Sequence, residues 1–115
     1  MITIQNVSRN TVLADKATIA DSFVTRMVGL LNRKNLSAGE ALVITRCQSI
    51  HMLFMRFAID AIFVDKDDRI TGLVPGIKPF MFSQIFFKSR YVIELPTGII
   101  VQSESRLGDQ IKIIE

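Results

Sequence analysis

Apolar residues at alternate positions open the chain: Ile2 and Ile4 are separated by threonine, and Val7 follows less regularly, which predicts a first strand. Asn10 sits in the expected turn before Thr11-Val12-Leu13-Ala14. Asp15-Lys16 reads as the next turn, ahead of Ala17-Thr18-Ile19-Ala20. The period then changes. Phe23, Met27 and Leu30 recur at helical spacing with Val24 and Val28 beside them, and Asp21 or Ser22 is a suitable N-cap, so a short helix is predicted near residues 21–30, ending about Gly29.

Ser37-Ala38-Gly39-Glu40 reads as a loop and Ala41-Leu42-Val43-Ile44 as a short buried strand. From Ile50 to Val64 both parities are apolar, and the Phe and Ile content favours two strands, with Arg56, Ala58 and Asp60 on one face if the pleat is regular. The polar run Asp65-Lys66-Asp67-Asp68-Arg69 between Ala61–Val64 and Ile70–Val74 is the strongest hairpin signal in the chain. Pro75, Gly76 and Pro79 disfavour regular structure up to Ser89, although this stretch is loaded with phenylalanine. Strand character returns at Tyr91-Val92-Ile93-Glu94-Leu95 and ends at Pro96-Thr97-Gly98. A helical turn near residues 99–104 and a final strand, Gln110–Ile114 after Gly108-Asp109, complete the pattern. The expected fold is a single mostly β domain over residues 1–115, a β-sandwich or a partly open barrel of short strands.

Composition narrows the class. At 115 residues with 49% apolar side chains the chain is too apolar for disorder, and one Cys excludes an internal disulfide or a cysteine-based zinc site. The net charge of +3 is unevenly placed: residues 1–57 carry seven basic and three acidic groups, residues 58–115 seven and eight. A nucleic-acid face needs a denser stripe of Lys and Arg than this, so nucleic acid is not the expected partner. The first residues lack the basic and apolar regions of a signal peptide, and the longest apolar tract, Ser49 to Val64, is interrupted by His51, Arg56 and Asp60 and is shorter than the roughly 20 residues of a membrane-spanning helix. A lone Cys47 suits a reducing cytoplasmic setting.

No standard catalytic signature is present. Cys47 and His51 share strand parity but would lie about 13 Å apart along a strand, too far for a nucleophile pair, which leaves Cys47 as a small core or strand-edge residue. Asp65-Lys66-Asp67-Asp68 lacks the spaced carboxylates, glycine and closing Glu of a calcium loop, and no metal or other cofactor is expected. Arg56 and Asp60 interrupt an apolar tract, as Glu94 does, and burying any of them alone is costly. Together with Arg26 from the helix they form either a solvated sheet face or an internal ion pair that fixes packing, or else a polar cleft in which arginines receive an anionic group. The Phe-rich loop of residues 79–87 likewise has two readings. It folds back over an open end of the sheet, or Phe80, Phe82, Phe86 and Phe87, flanked by Lys78, Lys88 and Arg90, form an exposed surface for a protein partner or a membrane.

With those residues in view, the chain resembles the domain of unknown function 192 family. The likeness runs through Thr25-Arg26-Met27-Val28-Gly29-Leu30-Leu31, the segment Ile50–Asp65 with its Met55-Arg56 and Ile59-Asp60-Ala61-Ile62-Phe63, Tyr91–Gly98, and Gly108-Asp109-Gln110-Ile111. Phe54 stands where the family often has Trp, and Asp68-Arg69 where a turn Gly is common. The resemblance implies a small mostly β fold with a short helix and no established activity, and it makes Arg26, Arg56, Asp60 and Glu94 a shared feature. The leading expectation is a non-catalytic module binding a small anionic molecule or a protein at a cleft containing Arg26, His51, Arg56, Asp60 and Glu94. The alternatives are a partner- or membrane-surface protein acting through the Phe-rich loop, and a hydrolase using His51 with Asp60.

Overall fold

The computed structural model describes residues 1–20, 35–52 and 55–115. Its strands are β1 (Ile2–Asn6), β2 (Thr11–Ala20), β3 (Glu40–Thr45), β4 (Ile59–Asp65), β5 (Ile70–Ile77), β6 (Ser89–Leu95) and β7 (Ile111–Ile114), with one helical turn, α1 (Ile99–Gln102), before β7. They form one mixed sheet in the order β5-β4-β6-β3-β2-β1-β7. Neighbours pair antiparallel except β2 and β3, whose parallel register runs from Lys16↔Glu40 to Ala20↔Ile44. A parallel pair needs a crossover connection. The predicted helix near residues 21–30 falls in that connection and lies outside the described residues.

The sheet curls without closing into a barrel, so the partly open form is the one observed. Among the described residues, its two edges meet at one end. There Arg69 bridges Gln110, Ile70 donates its N–H to Asp109 O at 2.9 Å, Gly108 donates to Ile70 O at 2.8 Å, and Ile111 donates to Asp68 O at 2.7 Å.

Three expectations about local structure are corrected. Asp15-Lys16 is not a turn: β2 continues through it, with both N–H groups donating to Gly39 O at 3.0 and 2.9 Å. The pairing of Ile2 with Ala17 and Ile4 with Ala14 leaves one extra residue on β2, a bulge that bends the strand where it takes up β3. Residues 50–58 form no regular strand among the described positions. The backbone groups of Ile50 and Met52 are taken by the Phe-rich loop instead: Met52 N donates to Met81 O at 2.8 Å, Phe80 N to Met52 O at 2.8 Å, and Ser83 N to Ile50 O at 2.9 Å. The loop itself begins later than expected, because β5 runs on through Pro75 and Gly76 to Ile77. Proline is tolerated there because β5 is an edge strand.

β4 explains the ambiguous apolar run. Every residue from Ile59 to Val64 is buried, and successive residues face opposite sides of the sheet. Ile62 and Val64 join Ile93, Leu95, Ile4, Leu13, Ile100 and Ile111 on one face. Ala61 and Phe63 join Ile44, Val92, Ile50, Met52 and Met55 on the other. The first face is covered by the curl of the sheet and by α1. The second is covered by irregular chain, in which Phe86 lies over Phe63 with ring centroids 4.3 Å apart. The ring also sits against Gly72, where a Cβ would overlap it.

A buried polar network ties β1 to the segment before β7. Asn6, with no exposed surface, donates through Nδ2 to Ser105 Oγ and Asp109 Oδ2, both at 3.0 Å. Arg9 forks onto the same carboxylate at 3.0 and 3.1 Å, and Arg106 N donates to it at 2.9 Å. Burial pushes the Asp109 carboxyl upward. Its hydrogen bonds from Arg9, Asn6 and Arg106 outweigh burial and hold it below its usual value.

Two outcomes follow from this packing. Gly72→Ala is expected to cost about 1–3 kcal/mol in urea unfolding, and little in a Phe86→Ala background, because the added methyl overlaps one ring. A loss below about 0.5 kcal/mol in the single variant would show that Phe86 swings away without cost. Because the folded value of Asp109 is depressed, its contribution is complete above the unfolded carboxyl value near 3.9 and is lost as pH falls through the folded one. Unfolding midpoints from about pH 5 to about pH 2 should therefore fall less steeply in Asp109→Asn than in the wild type.

Candidate functional site

Asp60 has fully built surroundings. It occupies β4 where pairing with β5 is irregular, between Ile59↔Ile77 and Ala61↔Val74. Gly76, in the left-handed region at φ 60°, turns its N–H inward to Asp60 Oδ1 at 2.8 Å. The other oxygen accepts from Gly98 N at 3.1 Å and Ile100 N at 2.9 Å. Gly98 is the N-cap of α1, also in the left-handed region, with φ 97°. A side chain from a distant strand thus satisfies the orphan donors of this turn. With 1% exposure and three backbone donors, the carboxylate serves as a structural tie, and both of its oxygens accept hydrogen bonds.

Glu94 is also fully buried, but it faces the other way. It pairs with Leu42 on one side and Ala61 on the other, whereas Asp60 pairs with Leu95. Since Asp60 and Ala61 alternate, Asp60 and Glu94 lie on opposite faces of the sheet. Arg56 is exposed and outside any strand, so it does not share a strand face with Asp60. Arg26 lies outside the described residues. The described members of the expected polar set are therefore not brought into one cleft, because strand alternation separates the two carboxylates. His51 is not brought to Asp60 either. It bridges Phe82, with ring centroids 6.2 Å apart, between Ile50 and Met52 of the second core.

The Phe-rich loop is an ordered surface. Besides the bonds to residues 50–52, Phe86 N donates to Gln48 O at 2.8 Å and Ser83 Oγ accepts from Ile50 N at 2.9 Å. Phe80, Met81, Phe82, Ile85 and Phe87 are each more than half exposed, Phe87 at 78%. Phe80 also sits at φ 69°, a conformation that costs a bulky side chain of order 1–3 kcal/mol. Lys78, Lys88 and Arg90 beside them are exposed. Phe86 departs from the expected exposed set: it is half-buried and packs on Phe63, because Gly72 leaves room for its ring.

Several polar residues with built surroundings carry little sequence signal. Asn6 and Asp109 look like ordinary strand-end and turn residues. Ser103 and Ser105, whose hydroxyls lie 2.7 Å apart, give no sign of burial. Tyr91 closes the end of the β4–β5 hairpin, its hydroxyl donating to Asp68 Oδ1 at 2.8 Å. Burial, together with that hydrogen bond, holds its phenol far above the usual range. Cys47 is buried, and its thiol donates to Ser49 O at 3.0 Å. Among the described residues, no group of three or more His, Cys, Asp or Glu side chains is placed to hold a metal, and no helix is long and apolar enough to cross a membrane.

The DUF192 family model, described as Uncharacterized ACR, matches residues 4–113. A UPF0127 protein of Pyrococcus horikoshii is 34% identical over 112 residues, covering 95% of this chain and 96% of its own. One from Thermococcus sibiricus is 32% identical over 110 residues, covering 92% and 71%. The crystal structure of a protein of unknown function from Novosphingobium aromaticivorans superposes with a TM-score of 0.80 at 20% identity, covering 96% of this chain and 82% of that one. That last likeness is one of fold.

Asp60→Asn is expected to lower stability by roughly 2–4 kcal/mol, since one amide NH₂ must then face a backbone donor. Urea unfolding measures this, and a near-neutral result would show that the three bonds to Asp60 do not hold α1 to the sheet.

Proposed function

We propose that this chain, which belongs to the DUF192 family, is a non-catalytic binding module whose partner surface is the Phe-rich loop of residues 79–87. One observation carries the reading: five apolar side chains are more than half exposed on a loop whose backbone is fixed by hydrogen bonds to residues 48–52. Exposed apolar groups on a mobile loop are easily collapsed onto the surface. Held out on an ordered loop, they form a preorganised contact that loses little freedom on binding. The flanking Lys78, Lys88 and Arg90 favour a partner with an apolar centre and acidic margin. A protein partner is favoured over a lipid surface because Asp65 and Asp67 share a recess with Phe87, Lys88 and Arg90, and carboxylates there oppose an anionic membrane. The setting proposed is cytoplasmic, in keeping with a single buried thiol.

A photoreactive benzoylphenylalanine in place of Phe87 should give a protein adduct of discrete mass in native cells. The same group in place of the distant Val12 should not. Phe80→Ser combined with Phe82→Ser should lower the adduct yield by roughly tenfold. Equal adducts from both positions, or none, would remove the reading. Sedimentation with anionic vesicles that depends on Phe82 and Phe87 would replace the protein partner by a membrane surface.

A further inference from the structure

Two open grooves lie on either side of Phe82. The larger, about 590 Å³, is walled by Leu73, Val74, Phe82 and Phe86. The smaller, about 320 Å³, is walled by Val74, Ile77, Met81 and Phe82 and reaches Lys78. They share Val74 and Phe82 and together form a trench that follows β5 from Thr71 to Lys78, divided by the Phe82 ring. β5 ends the sheet and pairs with β4 on its inner side. Among the described residues, the backbone hydrogen bonds from its other side to the segment before β7 lie at the Arg69–Ile70 end. Beyond that end, the trench combines apolar walls with the outward-facing backbone groups of an edge strand.

That combination selects the class of occupant. A small apolar molecule fills the walls but leaves the strand's N–H and C=O groups to water. A lipid surface offers no backbone donors and cannot enter a trench. An extended polypeptide meets both demands, adding a strand through its backbone and placing alternate side chains against the walls. The edge limits how far such pairing runs. Pro75 has no N–H, and Gly76 gives its own to Asp60. Ladder pairing is therefore confined to residues 71–74, and the rest of the segment rests on Met81 and Phe82. Among the described residues lining the trench, Lys78 is the charged one, at the end away from Thr71. Its complement is a carboxylate. At about 3.3 Å per residue, the distance from Thr71 to Lys78 takes roughly seven residues.

We propose that β5 receives, as an added strand, an extended apolar segment of a partner protein that carries a carboxylate at its Lys78 end. This rests on the reading of loop 79–87 as the partner surface and names what that surface binds.

The test pans a phage-displayed random heptapeptide library against the full chain, then titrates the enriched peptides into isotope-labelled protein. The expected peptides alternate apolar and other residues and carry an acidic residue near one end. Their binding should slow amide exchange within residues 71–74 by about tenfold or more. N-methylation at alternate peptide bonds should weaken binding by about tenfold or more, as should Phe82→Ser, while Lys78→Glu should reverse the preference for an acidic residue. Both protein variants change exposed side chains. No enrichment, peptides that map away from β5, or peptides indifferent to N-methylation would overturn the proposal. So would a concentration-dependent dimer that protects residues 71–74 without peptide, which would make a second copy the occupant. If the Phe87 adduct persists while peptides fail at β5, only the added strand is lost. If the adduct is also absent, the partner surface itself is lost.

Discussion

The structure depends on one carboxylate accepting three backbone hydrogen bonds in a place with almost no water. Asp60 holds together parts that no ladder connects: the irregular end of β5 at Gly76 and the first turn of α1 at Gly98 and Ile100. A four-residue helix has too few internal bonds to persist by itself. It stays in place because the carboxylate meets its N-terminal donors and because Ile100 is buried in the core against the sheet. The same bond turns the Gly76 N–H inward, which removes a donor from the exposed edge and shortens the stretch that another chain can pair with. Burying a carboxylate is costly unless its charge is met, and backbone dipoles meet it here.

From that tie the architecture separates into a regular half and an irregular one. One face of the sheet is covered by strands and a helical turn in ordinary register. The other is covered by chain with little repeating structure, including residues 48–52 hydrogen-bonded to 80–87, which carries the exposed phenylalanines. Binding surfaces on loops held by a rigid scaffold are a common arrangement, and the hydrogen bonds between residues 50–52 and 80–83 give this loop a rigidity that its composition does not advertise.

Much of the regular half was legible. β1, β6 and β7 show their apolar pattern directly, and Asp65–Arg69 marks the hairpin because polar residues with turn chemistry sit between two apolar runs. Asp15-Lys16 misled because a bulge on a strand that changes partners has the same polar composition as a turn. The tract from Ile50 misled because Ile50 and Met52, buried by loop-to-loop pairing, are as apolar as strand residues. Among the candidate site residues, Asp60, Glu94 and Arg56 drew notice for one reason, a charge inside an apolar tract, yet their surroundings differ entirely. Asp60 found backbone donors, which leave no trace in side-chain chemistry. Glu94 fell on the opposite face by alternation, and Arg56 reached solvent. The exposed loop was visible as a cluster of phenylalanines, but Gly72 decided which ring went inward, and that depended on a contact across the fold.

β1 pairs with β7 from Thr3↔Ile114 to Asn6↔Ile111, so strands from opposite ends of the chain are neighbours. Closing so long a loop is entropically slow, and this pair cannot help start folding. The β1–β2 and β4–β5 hairpins, each joined by four residues, are local elements able to form early. Ile4 and Leu13 would then stay uncovered until β7 docks, which makes the last step of assembly the one most exposed to misassociation at high protein concentration.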